Sequence, residues 1–163
     1  MRISPLAIAL AGILAASGVA AQDHDEHEHH SAEAGAIAVT HPWARAASAG
    51  GETLVFMEIE NDGESDVLEA VHTDLADSAS IVGISFAGGS QSLQPFETFE
   101  IPRGEFDFDP AGIAILLEGL TAPLAEGDEF ELELVFRSAG ELHLHVEVES
   151  ATATQHSHAG HNH

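Results

Sequence analysis

Apolar and polar residues alternate along much of this chain, which is the period of two expected of strands that bury one face. The alternation is clearest over residues 129–136 and 141–149. The residues expected to face inward there are Phe130, Leu132, Leu134, Leu142, Leu144, Val146 and Val148. The tripeptide Ser-Ala-Gly at residues 138–140 supplies a short turn between the two segments, so we predict an antiparallel hairpin.

A second strand pair is predicted over residues 101–120. Phe106 and Phe108 alternate with acidic residues, which indicates a half-buried strand. The sequence Asp-Pro-Ala-Gly at residues 109–112 favours a turn, because proline fixes one backbone angle and glycine permits angles that other residues avoid. Residues 113–117 form an unbroken apolar run, too short for a typical helix and suited to a strand buried on both faces. Together these features predict a central hairpin.

Three further segments, residues 53–61, 67–72 and 80–86, also have the composition of strands. The positions of the first segment expected to share one face are Val55, Met57 and Ile59. No segment has the pattern of an amphipathic helix. Many short strands with regular turns predict an all-β protein, a single β-sandwich of the Greek-key, immunoglobulin-like type.

Large side chains are expected to fill the space between the two sheets of this sandwich. We expect Phe56, Phe130 and Leu144 to share that core. Trp43 is the single tryptophan, and we interpret it as a large side chain in the core or at its rim. The domain therefore depends on packing for its stability, since the chain contains no cysteine to form a disulfide.

The two ends of the chain differ from the strand-rich part. Residues 1–21 begin with a positive charge, continue with small and apolar residues, and predict a secretory signal peptide cut after Ala21. A membrane anchor is the alternative, but a span needs about 20 strongly apolar residues, and this run is shorter and rich in alanine. Residues 22–35 and 151–163 are polar and rich in histidine, and we expect both to be disordered tails around a sandwich domain of residues 36–150.

Charge and composition exclude several classes of function. The formal net charge is −24, from 28 acidic and 4 basic residues, so nucleic acid and anionic lipid would meet like charge. A saline habitat or simple solubility would explain this charge, and a negative field also concentrates cations. The absence of cysteine excludes a thiolate site. No catalytic motif is present, neither a phosphate-binding loop nor a zinc-protease helix, so we predict that the protein is not an enzyme.

Histidine is unusually abundant, with 12 residues of which most lie in the two tails. The tail histidines are His24, His27, His29 and His30 at the front and His156, His158, His161 and His163 at the rear. Neutral imidazole binds Cu(II), Zn(II) and Ni(II), and neighbouring carboxylates add oxygen ligands. The tails therefore predict capture of metal ions, with a solvated polar segment as the alternative interpretation.

His143 and His145 form a second candidate within the last predicted strand. They point to one face and lie roughly 6.5–7 Å apart along the backbone, from the rise per residue. Glu141 and Glu147 flank them on that face, so one metal ion could contact both rings. Surface histidines without a ligand are the simpler interpretation, because spacing alone is weak evidence. We assign no role to the isolated His41 and His72.

Several short motifs follow one another along the domain in a definite order. They are Trp-Ala-Arg at residues 43–45, Phe-Met-Glu-Ile-Glu-Asn at 56–61, Ile-Pro-Arg-Gly at 101–104, the stretch 110–120, Pro-Leu-Ala-Glu-Gly-Asp at 123–128, Leu-Val-Phe at 134–136 and Ala-Gly at 139–140. Their order and spacing resemble the periplasmic copper chaperones called PCuAC over residues 37–148. The resemblance implies a cupredoxin-like β-sandwich.

The copper ligands of that family, two histidines and two methionines, have no counterparts here. The matching positions are Ala114 and Leu116 for the His-x-Met pair, Leu93 for the other methionine, and the neighbourhood of Val82 for the first histidine. None of these side chains offers a lone pair to a metal. Cu(I) prefers sulfur ligands, and Met57 is best explained as a core residue. We therefore expect Cu(II) to be favoured over Cu(I), with zinc as a further candidate.

These observations predict a periplasmic metal-binding protein of the copper-chaperone type. It would capture or deliver copper, or zinc, through its histidine-rich tails. The resemblance implies delivery to a copper enzyme such as cytochrome c oxidase or to its assembly factors. The alternative is an interaction or assembly module on a β-sandwich whose copper site has been lost. No contact with nucleic acid and no membrane insertion after signal cleavage are expected.

Overall fold

The computed structural model describes residues 31–156, and every regular element in that range is a β-strand. The strands are β1 (Ser31–Ala34), β2 (Ile37–Arg45), β3 (Glu52–Asn61), β4 (Asp66–His72), β5 (Ala76–Ala87), β6 (Ser90–Phe96), β7 (Phe99–Ile101), β8 (Gly104–Phe108), β9 (Ile113–Leu120), β10 (Glu129–Phe136) and β11 (Gly140–Glu149). Within residues 31–156, no helix is long and apolar enough to cross a membrane. The predicted signal peptide lies outside the described residues.

The strands form one continuous sheet with the order β6-β5-β9-β3-β2-β11-β10-β4-β7, in which β1 also pairs with β2 and β8 with β3. The predicted hairpin of β10 and β11 is confirmed, with antiparallel pairs from Glu129 opposite Glu147 to Phe136 opposite Gly140. The last strand then pairs in parallel with β2, the first long strand. The two ends of the domain are therefore neighbours in the sheet.

The central hairpin predicted over residues 101–120 is not formed as such. The turn after Phe108 is present, but β8 and β9 both pair with β3, one along each half of that strand. Because the same edge of β3 accepts both, the two strands lie end to end rather than side by side. The turn interrupts a long partner of β3 instead of reversing the chain.

The main cluster of buried side chains lies between the two halves of the folded sheet. It combines side chains of β3, β5 and β9 with side chains of β4, β10 and β11. Phe130 and Leu144 both belong to it, and Val55, Met57 and Ile59 enter it from one face of β3 as predicted. This packing confirms the β-sandwich.

Phe56 does not share that core, so the expectation for this residue was wrong. Successive residues of a strand point to opposite faces, and Phe56 lies between Val55 and Met57, which face the main cluster. It is buried in a second, smaller cluster on the opposite face of β3. That cluster contains Trp43, Leu54, Phe56, Val82, Ile84, Ala114 and Leu116. Trp43 is thus a core residue, with its ring centroid 4.6 Å from that of Phe56.

The ordered chain extends beyond the boundaries predicted for the domain. Ser31–Ala34, which we expected within the disordered front tail, forms β1 against β2, and Ala32 and Ala34 pack on the main cluster. Residues 151–156, expected in the rear tail, lie against the sandwich. In both cases hydrogen bonds to the domain hold a segment whose own sequence has no strand or helix pattern.

Candidate metal centre

The four positions that match the ligands of the copper chaperones lie together in the structure. Val82, Ala114 and Leu116 are buried in the second cluster, and Leu93 packs against it. Their side chains share this cluster with Trp43 and contain no nitrogen, oxygen or sulfur atom that could bind a metal ion. The positions that we matched to the copper ligands of the PCuAC family therefore belong to an apolar cluster in this chain.

His156 lies between two carboxylates of β11. Its Nδ1 atom is 2.8 Å from Oε1 of Glu149, and its Nε2 atom is 3.3 Å from Oε2 of Glu147. The histidine side chain is only 11% exposed, although it comes from a segment expected to be a solvated tail. Each of the three residues places a ligand atom within 4.8 Å of the others. They form the first candidate metal centre.

The parallel pairing of β2 and β11 explains how the tail reaches this position. Glu147 lies opposite Trp43 and Glu149 opposite Arg45 in that pairing. The chain turns after β11, where the N–H of Ala153 donates to the carbonyl of Ser150. Arg45 Nε then donates to the carbonyl oxygen of Ala153 at 2.7 Å, and so holds the returning segment against the sheet.

Arg45 is itself fixed by its surroundings. Its guanidinium carbon lies 5.2 Å from the ring centroid of Phe56, a cation–π arrangement. Burial lowers the pKa of Arg45, although a guanidinium keeps its charge at neutral pH. A rigid, charged donor therefore holds the segment that carries His156.

His41, to which we assigned no role from sequence, lies beside His156. The two ring centroids are 5.9 Å apart, and Nδ1 of His41 is 3.3 Å from Oε2 of Glu58. His41 has a backbone φ of 49°, in the left-handed region that non-glycine residues rarely adopt, and it precedes Pro42. The pairing of β2 with β3 also shifts register between Thr40 and Trp43, on either side of this residue. Only the long-range pairing of β2 with β11 reveals the contact, so no local sequence signal could have found it.

The geometry around His156 suits a metal ligand. With its proton on Nδ1, the ring donates to Glu149 and turns the lone pair of Nε2 toward Glu147. Carboxylates commonly orient metal-binding histidines in this way. Nε2 of His156 and Oε2 of Glu147 are 3.3 Å apart. Two ligand atoms at this spacing could each lie about 2.0–2.2 Å from one ion, with a near-tetrahedral angle between the two bonds. Glu147 and His156 can therefore bind one ion, while Glu149 orients the ring.

A pocket of about 290 Å³ adjoins this centre. His41, Glu58 and His156 line it, together with the buried Met57. Nitrogen and oxygen ligands suit Cu(II) and Zn(II), whereas Cu(I) prefers sulfur.

His143 and His145 lie on the exposed face of β11, as predicted, but the structure groups them with different partners. Nε2 of His143 is 3.7 Å from Oε2 of Glu133, and the two residues form a cluster with Glu141. His145 lies opposite Glu131 in the adjacent strand. The remaining predicted ligands, His24, His27, His29, His30, His158, His161 and His163, lie outside the described residues.

Comparison with known proteins gives a family and a fold. Residues 37–148 match the LpqE-like lipoprotein family. No curated protein matches the chain significantly. The match runs from the start of β2 to Val148 in β11. It therefore covers most of the sandwich but not the segment that carries His156.

Solved structures of PCuAC domains resemble this one. The apo PCuAC domain of PmoF2 superposes with a TM-score of 0.65 at 23% identity, covering 78% of this chain and 100% of that one. The apo PCuAC domain of PmoF1 gives a TM-score of 0.63 at 27% identity, covering 74% of this chain and 99% of that one. Cu(I)-DR1885 from Deinococcus radiodurans gives a TM-score of 0.55 at 23% identity, covering 72% of this chain and 82% of that one. The expected PCuAC fold is confirmed.

Proposed function

The chain belongs to the LpqE-like lipoprotein family, and from this premise we propose that it is an exported metal-binding protein of the copper-chaperone type. Structural relatives include a copper-bound PCuAC domain of PmoF2 and the Cu(I) form of DR1885. The family description and the predicted signal peptide support export to the periplasm. The protein would capture copper, or zinc, with its histidine-rich ends.

The observation that carries this proposal is the seating of His156 between Glu147 and Glu149. In the proposed centre, Glu147 and Nε2 of His156 bind the ion and Glu149 orients the ring. His41 is close enough for a small side-chain rotation to add a second imidazole. These nitrogen and oxygen donors favour Cu(II) or Zn(II) over Cu(I).

Both histidine-rich ends are attached to the domain near this corner. Ser31 lies opposite Thr40 in the pairing of β1 with β2, and Thr40 is next to His41. The described part of the chain therefore begins, at Ser31, close to His41 and its neighbour His156. Metal ions held by either end need travel only a short distance to the centre, and a copper enzyme such as cytochrome c oxidase, or its assembly factor, would receive them.

A second candidate function is an interaction or assembly module. The observation that favours it is the hairpin of β5 and β6, which exposes Phe86 (62%) and Phe96 (39%). Residues 78–96 contain no charged side chain, in a protein of net charge −24. A neutral, apolar projection suits contact with a partner protein.

Titration of the full chain with Cu(II), followed by electron paramagnetic resonance and by competition with a chelator, tests the first function. We expect His156→Ala to weaken the tightest Cu(II) site by about tenfold or more, and Glu149→Gln to weaken it by about tenfold. His158→Ala is the matched control, because it removes another histidine from the same end and keeps His156, Glu147 and Glu149, and it should change affinity little.

Two results would contradict this proposal. Equal losses from His156→Ala and His158→Ala would mean that only the number of tail histidines matters. A full chain that binds neither Cu(II) nor Zn(II) would leave the interaction module as the better function.

A further inference from the structure

A second group of metal-ligating side chains lies on the outer face of β4, β10 and β11. Glu133 in the central strand lies directly opposite His72 on one side and His143 on the other. Residues opposite one another in antiparallel strands present their side chains to the same face, so these three residues form a row across the sheet. Glu147, the nearer carboxylate of the His156 centre, lies four positions along β11 from His143, a distance of about 13 Å. The row is therefore distinct from the centre at His156.

Contacts around His143 bring together ligand atoms of three residues, His143, Glu133 and Glu141. Nε2 of His143 lies 3.7 Å from Oε2 of Glu133, and a carboxylate oxygen of Glu141 lies within 4.8 Å of both residues' ligand atoms. The His143 side chain is 70% exposed, so an ion can reach it from solvent. These spacings allow a small movement of side chains to place all three ligands around one ion.

His72 can reach the same ion from the other side of Glu133. Neighbouring strands are about 4.8 Å apart, so the backbones of His72 and His143 flank Glu133 at roughly 10 Å from each other. All three residues border one open groove of about 860 Å³. Two imidazoles and two carboxylates would then surround the ion, the ligand number that zinc prefers.

The charge of the groove favours a cation. Among the described residues that border it, several are acidic and none is a lysine or arginine. The underlying side chains of Phe130, Leu132 and Leu134 are buried in the main cluster and fix the strand that carries Glu133. Ligands on packed strands keep their positions better than ligands on loops, so less order must be gained when the ion binds.

We propose that His143, Glu133 and Glu141, joined by His72, form a surface site for a divalent cation of borderline softness, with Zn(II) as the best fit. This site goes beyond the proposed function, because it uses no residue of either histidine-rich end and none of the centre at His156. It also differs from the pairing of His143 with His145 that strand spacing alone suggests.

Amide chemical shifts of the full chain during Zn(II) titration test the site, because they report each location separately. We expect residues around His72, Glu133 and His143 to shift together as Zn(II) is added. His143→Ala and Glu133→Gln should each weaken this local response by about tenfold or more, with the other amide shifts showing that the fold is kept. His145→Ala is the matched control on the same strand and face, and should change the local affinity by less than about twofold.

Several outcomes would overturn the site. Shifts confined to the chain ends and the surroundings of His156 would mean that this face binds no Zn(II). Equal losses of Zn(II) affinity from His143→Ala and His145→Ala would instead favour a site formed by His143 and His145 along β11. A local response that survives loss of the His156 centre supports the site whether or not the proposed function holds.

Discussion

Asp66 is a buried carboxylate, 5% exposed, that joins two parts of the sandwich. Its oxygens accept hydrogen bonds from the backbone N–H groups of Val67, Ser138 and Ala139, at distances of 2.8–2.9 Å. Burial raises the pKa of Asp66, but these donors outweigh it, and the pKa lies below its ordinary value. The ionised side chain thus fixes the turn between β10 and β11 against β4.

Replacing this carboxylate should make the protein less stable and less sensitive to acid. A lowered folded-state pKa contributes stability above the unfolded pKa of about 3.9, and this contribution is lost as pH falls toward the folded value. We expect Asp66→Ala to lower the free energy of unfolding at pH 7 by about 1–3 kcal/mol. Urea denaturation at pH 7 and at about pH 3 measures the effect, which should be smaller in acid. The exposed Asp62→Ala is the control, and an equal loss in both variants would contradict the assignment.

Among the elements, the segment after β11 has the clearest functional consequence. Arg45 on β2 holds it through the carbonyl of Ala153, and the segment then places His156 against Glu147 and Glu149. One of the contacts that hold it, the bond from Arg45, comes from a distant part of the sequence. In the proposed metal centre, the segment would couple metal binding to the geometry of the sandwich.

Exchanging that side chain for lysine should loosen the segment while keeping the charge. Lysine lacks the planar guanidinium that both bonds Ala153 and stacks over Phe56. We expect Arg45→Lys to weaken Cu(II) binding at His156 by about tenfold, as loss of an orienting partner does at metal sites. Arg137→Lys is the control, because Arg137 is exposed, pairs with Glu69 and lies at the end of the β10–β11 hairpin away from Glu147. Unchanged Cu(II) affinity in Arg45→Lys would show that the segment needs no such anchor.

Strands whose apolar positions alternate could be predicted from sequence, whereas contacts between distant strands could not. The hairpin of β10 and β11 was predicted because each of these strands buries one face. Phe56 was misplaced because β3 buries both faces in its middle, which removes the alternation. β6 is exposed along most of its length, so it carries no pattern. His41 joins His156 only through the parallel pairing of β2 with β11, which local sequence does not encode.

At the scale of the whole molecule, the net charge of −24 acts on every site. Acidic side chains repel one another in the folded state, because folding brings them closer than they are in the extended chain. The same field raises the local concentration of cations near the two candidate metal sites. The charge that would favour divalent ions therefore also lowers stability in dilute buffer.

Salt should therefore stabilise this protein. The Debye length falls from about 8 Å at 0.15 M to about 3 Å at 1 M, which screens repulsion between surface carboxylates. We expect a gain of about 1 kcal/mol over this range, or a rise in Tm of about 4 °C. Thermal unfolding in sodium chloride and, as control, in choline chloride separates screening from binding of sodium. A Tm that stays constant or falls in both salts would contradict the prediction.

The pairing of Ser31 with Thr40, next to His41 and its neighbour His156, has a practical consequence. Any polyhistidine purification tag added at either end would be tethered near the same corner of the domain. Its imidazoles would compete with the proposed ligands for added Cu(II) or Zn(II). A cleavable tag, or an epitope inserted in the turn at Gly88 and Gly89, where no atom lies within 4 Å of an added Cβ, leaves that corner undisturbed.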